Sequence, residues 1–138
     1  MSAKQVGLGL GIFSIALGAL EVAAPGRLSR WLGVDGSKAA RNTIFAFGLR
    51  ELLAGTMLLH GPAVSTNVWN RVIGDAMDAG ALGLVLTKSN RKGAATGALA
   101  FVGGALVADW LTARALDKET GRTFPAAPHE ERLQPATI

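Results

Sequence analysis

Residues 69–78 read Trp69-Asn70-Arg71-Val72-Ile73-Gly74-Asp75-Ala76-Met77-Asp78 and open an otherwise apolar segment that ends near Thr87. In a helix, Arg71, Asp75 and Asp78 are spaced i, i+4 and i+7, so all three project from one face. Val72, Ile73, Ala76 and Met77 cover much of the remaining surface. The stretch therefore predicts a helix that carries one base and two acids within an apolar segment.

The composition favours a membrane protein of one domain. The 138 residues are 49% hydrophobic and 17% charged, against a charged fraction of about 25% in soluble domains. Eighteen glycines accompany only five prolines, and glycine is common where helices pack closely in lipid. The absence of cysteine excludes disulfides, zinc-thiolate sites and thiol catalysis.

Four segments have the length of about 20 residues that crosses a bilayer core about 30 Å thick. They are residues 6–24, 40–60, 68–87 and 93–116. Pro25-Gly26 should end the first helix, and Ser65-Thr66-Asn67 should cap the third. The sequence predicts an all-α fold, a four-helix transmembrane bundle in residues 1–116, followed by a polar, disordered tail in residues 117–138.

Two features of the N-terminal quarter allow alternatives. Lys4 precedes an apolar stretch of signal-peptide length, although Glu21 stands where a small-residue cleavage pattern belongs. In residues 26–33, Leu28, Trp31 and Leu32 share one helical face, opposite the two arginines of that segment. This pattern predicts a short interfacial helix between helices one and two, and an ordinary surface loop is the alternative.

Small residues form the same stripe in two helices, with steps of 4, 3 and 4. The first helix has Gly7, Gly11, Ser14 and Gly18, and the fourth has Gly93, Gly97, Ala100 and Gly104. Small residues let helix backbones approach closely in lipid. We expect both stripes to pack helices, and we expect them to support a homo-oligomer or a membrane protein partner.

Basic residues predict the orientation. We call the end of the bundle where the first helix begins end A, and the opposite end B. The end B loops carry Arg27, Arg30, Lys38, Arg41, Lys88, Arg91 and Lys92, whereas residues 61–67 at end A carry no base. End B should therefore be cytoplasmic, with both termini outside. Trp31, Trp69 and Trp110 fall near the interfaces as anchors, and this distribution of bases argues against nucleic acid as a partner.

Six charged residues are expected inside the bundle because charge exposed to lipid is costly. They are Arg50, Glu51, Arg71, Asp75, Asp78 and Asp109. We expect Arg50 to pair with Asp78 or Asp75, and Arg71 with Asp75 or Asp109. Four acids then face two bases, so a proton or cation is shared, or some carboxyl groups are neutral.

This cluster supports two functions. The first is a polar network that holds together a structural, anchor or accessory membrane subunit. The alternative is a small proton- or cation-linked transporter or channel that uses the carboxylates. No nucleophile-base pair, metal-ligand cluster or phosphate loop indicates an enzyme, a metal or a cofactor, and His60 and His129 are expected to be solvated. A soluble bundle whose polar positions face water is a third possibility.

Gly48-Leu49-Arg50-Glu51, followed by the Arg-x-x-Gly-Asp-x-x-Asp pattern of residues 71–78, resembles a family of small bacterial four-helix membrane proteins. Members of that family occur alone or joined to polyketide-cyclase/dehydrase-like (START-type) domains. The resemblance extends from Leu8 to Leu111 and implies the fold and a membrane location. It implies no reaction, and the cyclase-like domain is absent from this chain.

Overall fold

The computed structural model describes residues 2–60 and 64–120, and within them it is helical without any strand. The helices are α1 (Ala3–Ala23), α2 (Pro25–Trp31), α3 (Lys38–His60), α4 (Val64–Lys88) and α5 (Lys92–Thr120). The all-α prediction is confirmed.

The first two helices follow local sequence signals. Ser2 and Gln5 form a capping box at the start of α1, in which each side chain accepts a hydrogen bond from the other residue's backbone. Helix α1 ends at Ala23, and Pro25 takes the first position of α2, where a missing N–H breaks no helical bond. Residues 25–31 are thus helical, and the surface-loop alternative is wrong.

Two predicted helix ends are corrected. Helix α4 begins at Val64, so Ser65-Thr66-Asn67 lies inside the helix and does not cap it. Helix α5 continues to Thr120, so residues 117–120 are helical and not a disordered tail. The physical reason is a tertiary contact: Asp117 accepts hydrogen bonds from Ser65 Oγ at 2.5 Å and Trp69 Nε1 at 2.9 Å. Residues 121–138, with His129, lie outside the described residues.

The four long helices run antiparallel, and the two end B connections touch. The Asn90 N–H donates to the Gly33 carbonyl at 3.2 Å, and Ser89 Oγ donates to the Leu32 carbonyl at 2.5 Å. Gly33 has φ of 72°, and a Cβ there would lie 2.4 Å from Asn90 Oδ1. Glycine is therefore required by both the backbone conformation and the close approach.

Helix α1 packs on α3 through its small residues. Gly7, Gly11, Ser14 and Gly18 are the buried residues of α1. A Cβ on Gly18 would lie 2.7 Å from the Gly48 carbonyl oxygen, so the two backbones are nearly in contact. This stripe is occupied within the chain and is not free for self-association.

The matching stripe of α5 faces outward. Gly93, Gly97, Ala100 and Gly104 are exposed, and a Cβ added to any of the three glycines would meet nothing within 4 Å. Packing within the described chain therefore does not explain this stripe, and its use in an oligomer stays a prediction.

The polarity of the bundle is inverted relative to a water-soluble protein. Arg71, Glu51 and Asp109 are among the largest side chains that are almost completely buried. The outer surface carries large apolar side chains on every long helix. Examples are Ile12, Leu53, Leu84 and Val107, which are 63, 66, 68 and 55% exposed. Of the charged positions that the soluble-bundle alternative expects to face water, Glu51, Arg71, Asp75, Asp78 and Asp109 are buried.

Among the described residues, two helices, Ala3–Ala23 and Lys92–Glu119, are long and apolar enough to cross a membrane, so the predicted four crossings are not confirmed. In the most apolar 18-residue segment of each helix, 22% of Ala3–Ala23 and 11% of Lys92–Glu119 is buried within the protein. The core helix of a soluble protein would be mostly buried. Helices α3 and α4 carry Arg50-Glu51 and the charges of residues 71–78 near their centres, which lowers their hydropathy.

The predicted tryptophan anchors differ in their surroundings. Trp31 and Trp110 are 48 and 45% exposed, as a residue at a membrane interface requires. Trp69 is partly buried and packs against an apolar core at end A formed by Leu58, Val68, Ala113 and Leu116. Its indole N–H binds Asp117, so Trp69 joins α4 to α5 inside the bundle.

Candidate functional site

The structure brings all six predicted charged residues together at mid-height of the bundle. Arg50 and Glu51 come from α3, Asp109 comes from α5, and the other three, Arg71, Asp75 and Asp78, come from one face of α4. We call these six residues the charged cluster. All except Arg50 are buried, so the cluster lies in a region of low dielectric constant, where Coulombic interactions are strong.

Arg50 connects α3 to α4. Its Nη2 lies 2.6 Å from Glu51 Oε1 and 2.8 Å from Asp78 Oδ2. Its Nη1 donates to the Gly74 carbonyl at 2.8 Å. A Cβ on Gly74 would lie 2.7 Å from Arg50 Cζ. The guanidinium therefore occupies space that any side chain at position 74 would fill. The pairing of Arg50 with Asp78 is one of the two that the sequence left open.

Arg71 connects α4 to both α3 and α5. Its Nη1 donates to Glu51 Oε2 at 3.1 Å, and its Nε lies 2.8 Å from Asp109 Oδ2. Of the two partners expected for Arg71, the structure forms the pair with Asp109. No ion pair between Asp75 and either arginine occurs among the described residues.

Glu51 is the centre of the network, a role that the sequence did not reveal. It contacts both arginines through its two carboxylate oxygens. Ser14 of α1 also donates to the Glu51 carboxylate and lies 2.9 Å from the Glu51 carbonyl oxygen. Ser14 was predicted only as a small packing residue, and no spacing rule signals its bond to a residue 37 positions away.

Glu21 is a seventh charged residue beside the cluster. Its Oε2 is buried without a hydrogen-bond partner, and its carboxyl group interacts electrostatically with Asp78, Glu51 and Arg50. The sequence contained a signal for it, because Glu21 stands within the C-terminal turns of an otherwise apolar helix. From the sequence, Glu21 is considered only at a signal-peptide cleavage position and is not placed in the charged cluster.

Several carboxylate oxygens in this region lack a donor. They are Asp75 Oδ2, Asp78 Oδ1 and Asp109 Oδ1, in addition to Glu21 Oε2. The charged cluster has four acids and two bases, and Glu21 adds a fifth acid. Buried carboxylate oxygens without a donor are unfavourable, so protons or cations are the chemical complement of the site.

A proton or a cation could bind at two places in the cluster. One carboxylate oxygen each from Glu51, Asp75 and Asp78 lies within 4.8 Å of the others, and hard cations prefer oxygen ligands of this kind. The carboxyl groups of Asp75 and Asp109 lie within hydrogen-bonding reach of each other. A proton between them would supply the donor that both lack.

The hydroxyl group nearest to the cluster belongs to a buried serine. The Ser14 hydroxyl contacts the Glu51 carboxylate, and both residues are buried, at 0 and 2% exposure. His60 is exposed at the end of α3, with its Nδ1 3.2 Å from the Thr56 carbonyl oxygen, and lies apart from the cluster. What the geometry offers is electrostatic linkage between helices and sites for small cations.

Comparison with known proteins gives no match: no protein-family model, curated protein or solved structure matches this chain.

Proposed function

We propose that the protein is a multi-pass protein of the cytoplasmic membrane, in which α1, α3, α4 and α5 all cross the bilayer. Its proposed role is that of a structural, anchor or accessory subunit. The observation that carries the proposal is the inverted polarity. Arg71, Glu51 and Asp109 are buried at the centre, while Leu53 and Leu84 are 66 and 68% exposed on the outside. A bilayer is the solvent that favours this arrangement.

The charges of α3 and α4 do not argue against a membrane position. A lone charge at the centre of a membrane helix costs about 2.5–3.5 kcal/mol on insertion scales. Here both arginines contact carboxylates inside the bundle, at 2.6–3.1 Å. The charged side chains therefore face one another instead of lipid, and the apolar faces of the same helices remain available to acyl chains.

The charged cluster supports a structural role because it joins two helix pairs. Helix α1 packs mainly on α3, and α4 packs mainly on α5. Arg50–Asp78 and Arg71–Glu51 both cross from α3 to α4. In lipid, where burial of apolar surface does not drive helices together, such polar contacts hold a bundle in one arrangement.

The proposal includes an orientation, partners and a family. End B, with its basic loops, faces the cytoplasm, and both termini face outward. The bilayer is the first partner, and the exposed stripe of α5 is a contact for a second copy or another membrane protein. The Gly-Leu-Arg-Glu sequence of residues 48–51 and the pattern of residues 71–78 support membership of the small bacterial four-helix family named above.

Carbonate extraction tests the membrane proposal. Membranes from cells that produce the full chain are washed at alkaline pH, which removes peripheral proteins. We expect the chain in the pellet and its release only by detergent. A resident multi-pass protein and a peripheral protein of the same cells serve as controls. Recovery of the chain in the carbonate supernatant would disprove the proposal.

The carboxylate oxygens that lack a hydrogen-bond donor favour a second candidate function, a proton- or cation-linked path through the membrane. Asp75 Oδ2, Asp78 Oδ1 and the Asp109 carboxylate lie in one continuous group that also includes Glu51. Proteoliposomes that contain the purified protein should then show a proton or sodium flux that Asp75→Asn reduces. Flux equal to that of empty liposomes leaves the structural role as the function.

A further inference from the structure

A cavity of about 1080 Å³ lies in the end B half of the bundle, between the α1/α3 pair and the α4/α5 pair. Its walls are mainly apolar and include Leu17, Phe47, Leu82 and Phe101, and α2 contributes Trp31. Small-molecule sites typically occupy about 300–1,000 Å³ and have mostly apolar walls with a few polar groups. The cavity is slightly larger than this range and has the wall chemistry of a ligand site.

Two acids stand in this apolar wall. Glu21 of α1 and Asp78 of α4 both line the cavity, and Glu21 Oε2 and Asp78 Oδ1 are both buried without a hydrogen-bond partner. The other oxygen of Asp78 is held by Arg50 at 2.8 Å. The remaining ionisable groups of the wall, Asp35 and Lys88, are exposed. The ionisable groups of the inner wall are therefore the carboxyl groups of Glu21 and Asp78.

The local charge indicates what would satisfy them. Glu21 interacts with two further acids, Asp78 and Glu51, and with only one base, Arg50. An anionic head group would be repelled by this excess of acid. A lipid acyl chain would fill the apolar space but would place hydrocarbon against the two acids of the wall.

We propose that the cavity binds a lipophilic cation, a molecule with an apolar body and one positively charged centre. The charged centre lies against Glu21 and Asp78, and the apolar body contacts Leu17 and Leu82. The rings of Phe47 and Phe101 provide faces that attract a cation. This binding activity goes beyond the structural role proposed above, and it requires no transport.

A pair of probes with the same shape and opposite charge tests the inference. The purified full-length protein is placed in nanodiscs of phosphatidylcholine, and binding of tetraphenylphosphonium is measured by equilibrium dialysis against empty nanodiscs. Tetraphenylborate carries the same four phenyl groups around an anionic centre. We expect saturable binding of the phosphonium and none of the borate. Equal saturation by both, or no saturable binding of the phosphonium, would overturn the proposal.

Variants locate the site. Glu21→Gln keeps the size of the side chain and should weaken phosphonium binding by about tenfold, because one of the two facing charges is lost. Asp78→Asn should also weaken it. Glu119→Gln removes an exposed acid of α5 at the opposite end and should leave binding unchanged. Circular dichroism checks that each variant is folded. Unchanged binding in both Glu21→Gln and Asp78→Asn would refute this site, and carbonate extraction would be unaffected by that result.

Discussion

Arg71 Nε lies 2.8 Å from Asp109 Oδ2, and their side chains are 1 and 0% exposed. The two residues are 38 positions apart in sequence and belong to α4 and α5. The same guanidinium reaches Glu51 of α3 at 3.1 Å. One base thus joins three helices, and the integrity of the bundle depends on its partners.

Removing the charge of Asp109 should destabilise the protein strongly. Asp109→Asn leaves Arg71 with Glu51 as its remaining ion-pair partner, and breaking a buried pair from one side costs about 3–5 kcal/mol. We expect a large fall in the free energy of unfolding, measured in detergent micelles or bicelles.

Two controls accompany that measurement. Glu119→Gln removes an exposed acid of the same helix and should change stability by less than about 0.5 kcal/mol. Arg71→Met should destabilise at least as much as Asp109→Asn, because it leaves both Asp109 and Glu51 without this base. An Asp109→Asn protein as stable as the wild type would contradict the role of this pair.

The contact between α1 and α3 predicts opposite effects for two glycine-to-alanine changes. A Cβ on Gly18 would lie 2.7 Å from the Gly48 carbonyl oxygen, whereas a Cβ on Gly83 of α4 would meet nothing within 4 Å. Gly18→Ala should therefore destabilise by about 1–3 kcal/mol through overpacking. Gly83→Ala should be neutral or stabilise by up to about 1 kcal/mol, because alanine favours the helix.

Thermal unfolding of both variants in the same detergent is the measurement. A Gly18→Ala protein that matches Gly83→Ala would show that the two backbones are farther apart than the structure has them.

The three contacts of the planar Arg50 guanidinium predict that lysine cannot replace this arginine. The guanidinium contacts Glu51 Oε1, Asp78 Oδ2 and the Gly74 carbonyl at once, and an ammonium on a flexible chain does not reproduce that planar geometry. Arg50→Lys should cost about 1.5–3 kcal/mol, the contribution of a hydrogen bond to a charged group.

Arg41→Lys, at an exposed position of the same helix, is the matched control and should be neutral. Chemical denaturation compares the two variants. Equal stability of the Arg50→Lys and Arg41→Lys proteins would mean that the positive charge alone, without the planar geometry of the guanidinium, holds this part of the bundle.

Single cysteines test the lipid-facing surface and the orientation, since the chain has no cysteine of its own. Cysteines at Leu53 and Met77, on the outer faces of α3 and α4, should resist an aqueous maleimide even in opened membranes. Cysteines at Lys38 and Asn90, at end B, should react only after the membrane is opened. One at Lys4, at end A, should react in intact spheroplasts.

The labelling tests the lipid-facing surface and the orientation separately. Reaction at Leu53 and Met77 as fast as at Lys38 would reject lipid exposure. Reaction at Lys38 but not at Lys4 in intact spheroplasts would keep the membrane assignment and reverse the orientation.

Much of the helix layout could be predicted from the sequence because its signals are local. Apolar length, the proline at position 25 and the turn residues before Lys38 depend on neighbours in the chain. The predicted helix starts and ends differ from the observed ones by a few residues. The predicted end of the last helix was four residues short because Asp117 is held by Ser65 and Trp69 across the bundle.

The sequence by itself determined that Arg50, Glu51, Asp109 and the three charged residues of α4 would carry a high free-energy cost if they faced lipid. It follows from residue type and position that these side chains must contact one another inside the bundle. Only the tertiary structure decided which atoms meet. Glu51 contacts both arginines, Asp75 forms no ion pair among the described residues, and Glu21 lines a cavity. The reason is that helix rotation and separation are set by close packing of α1 on α3, at distances of a few ångströms that no spacing pattern encodes.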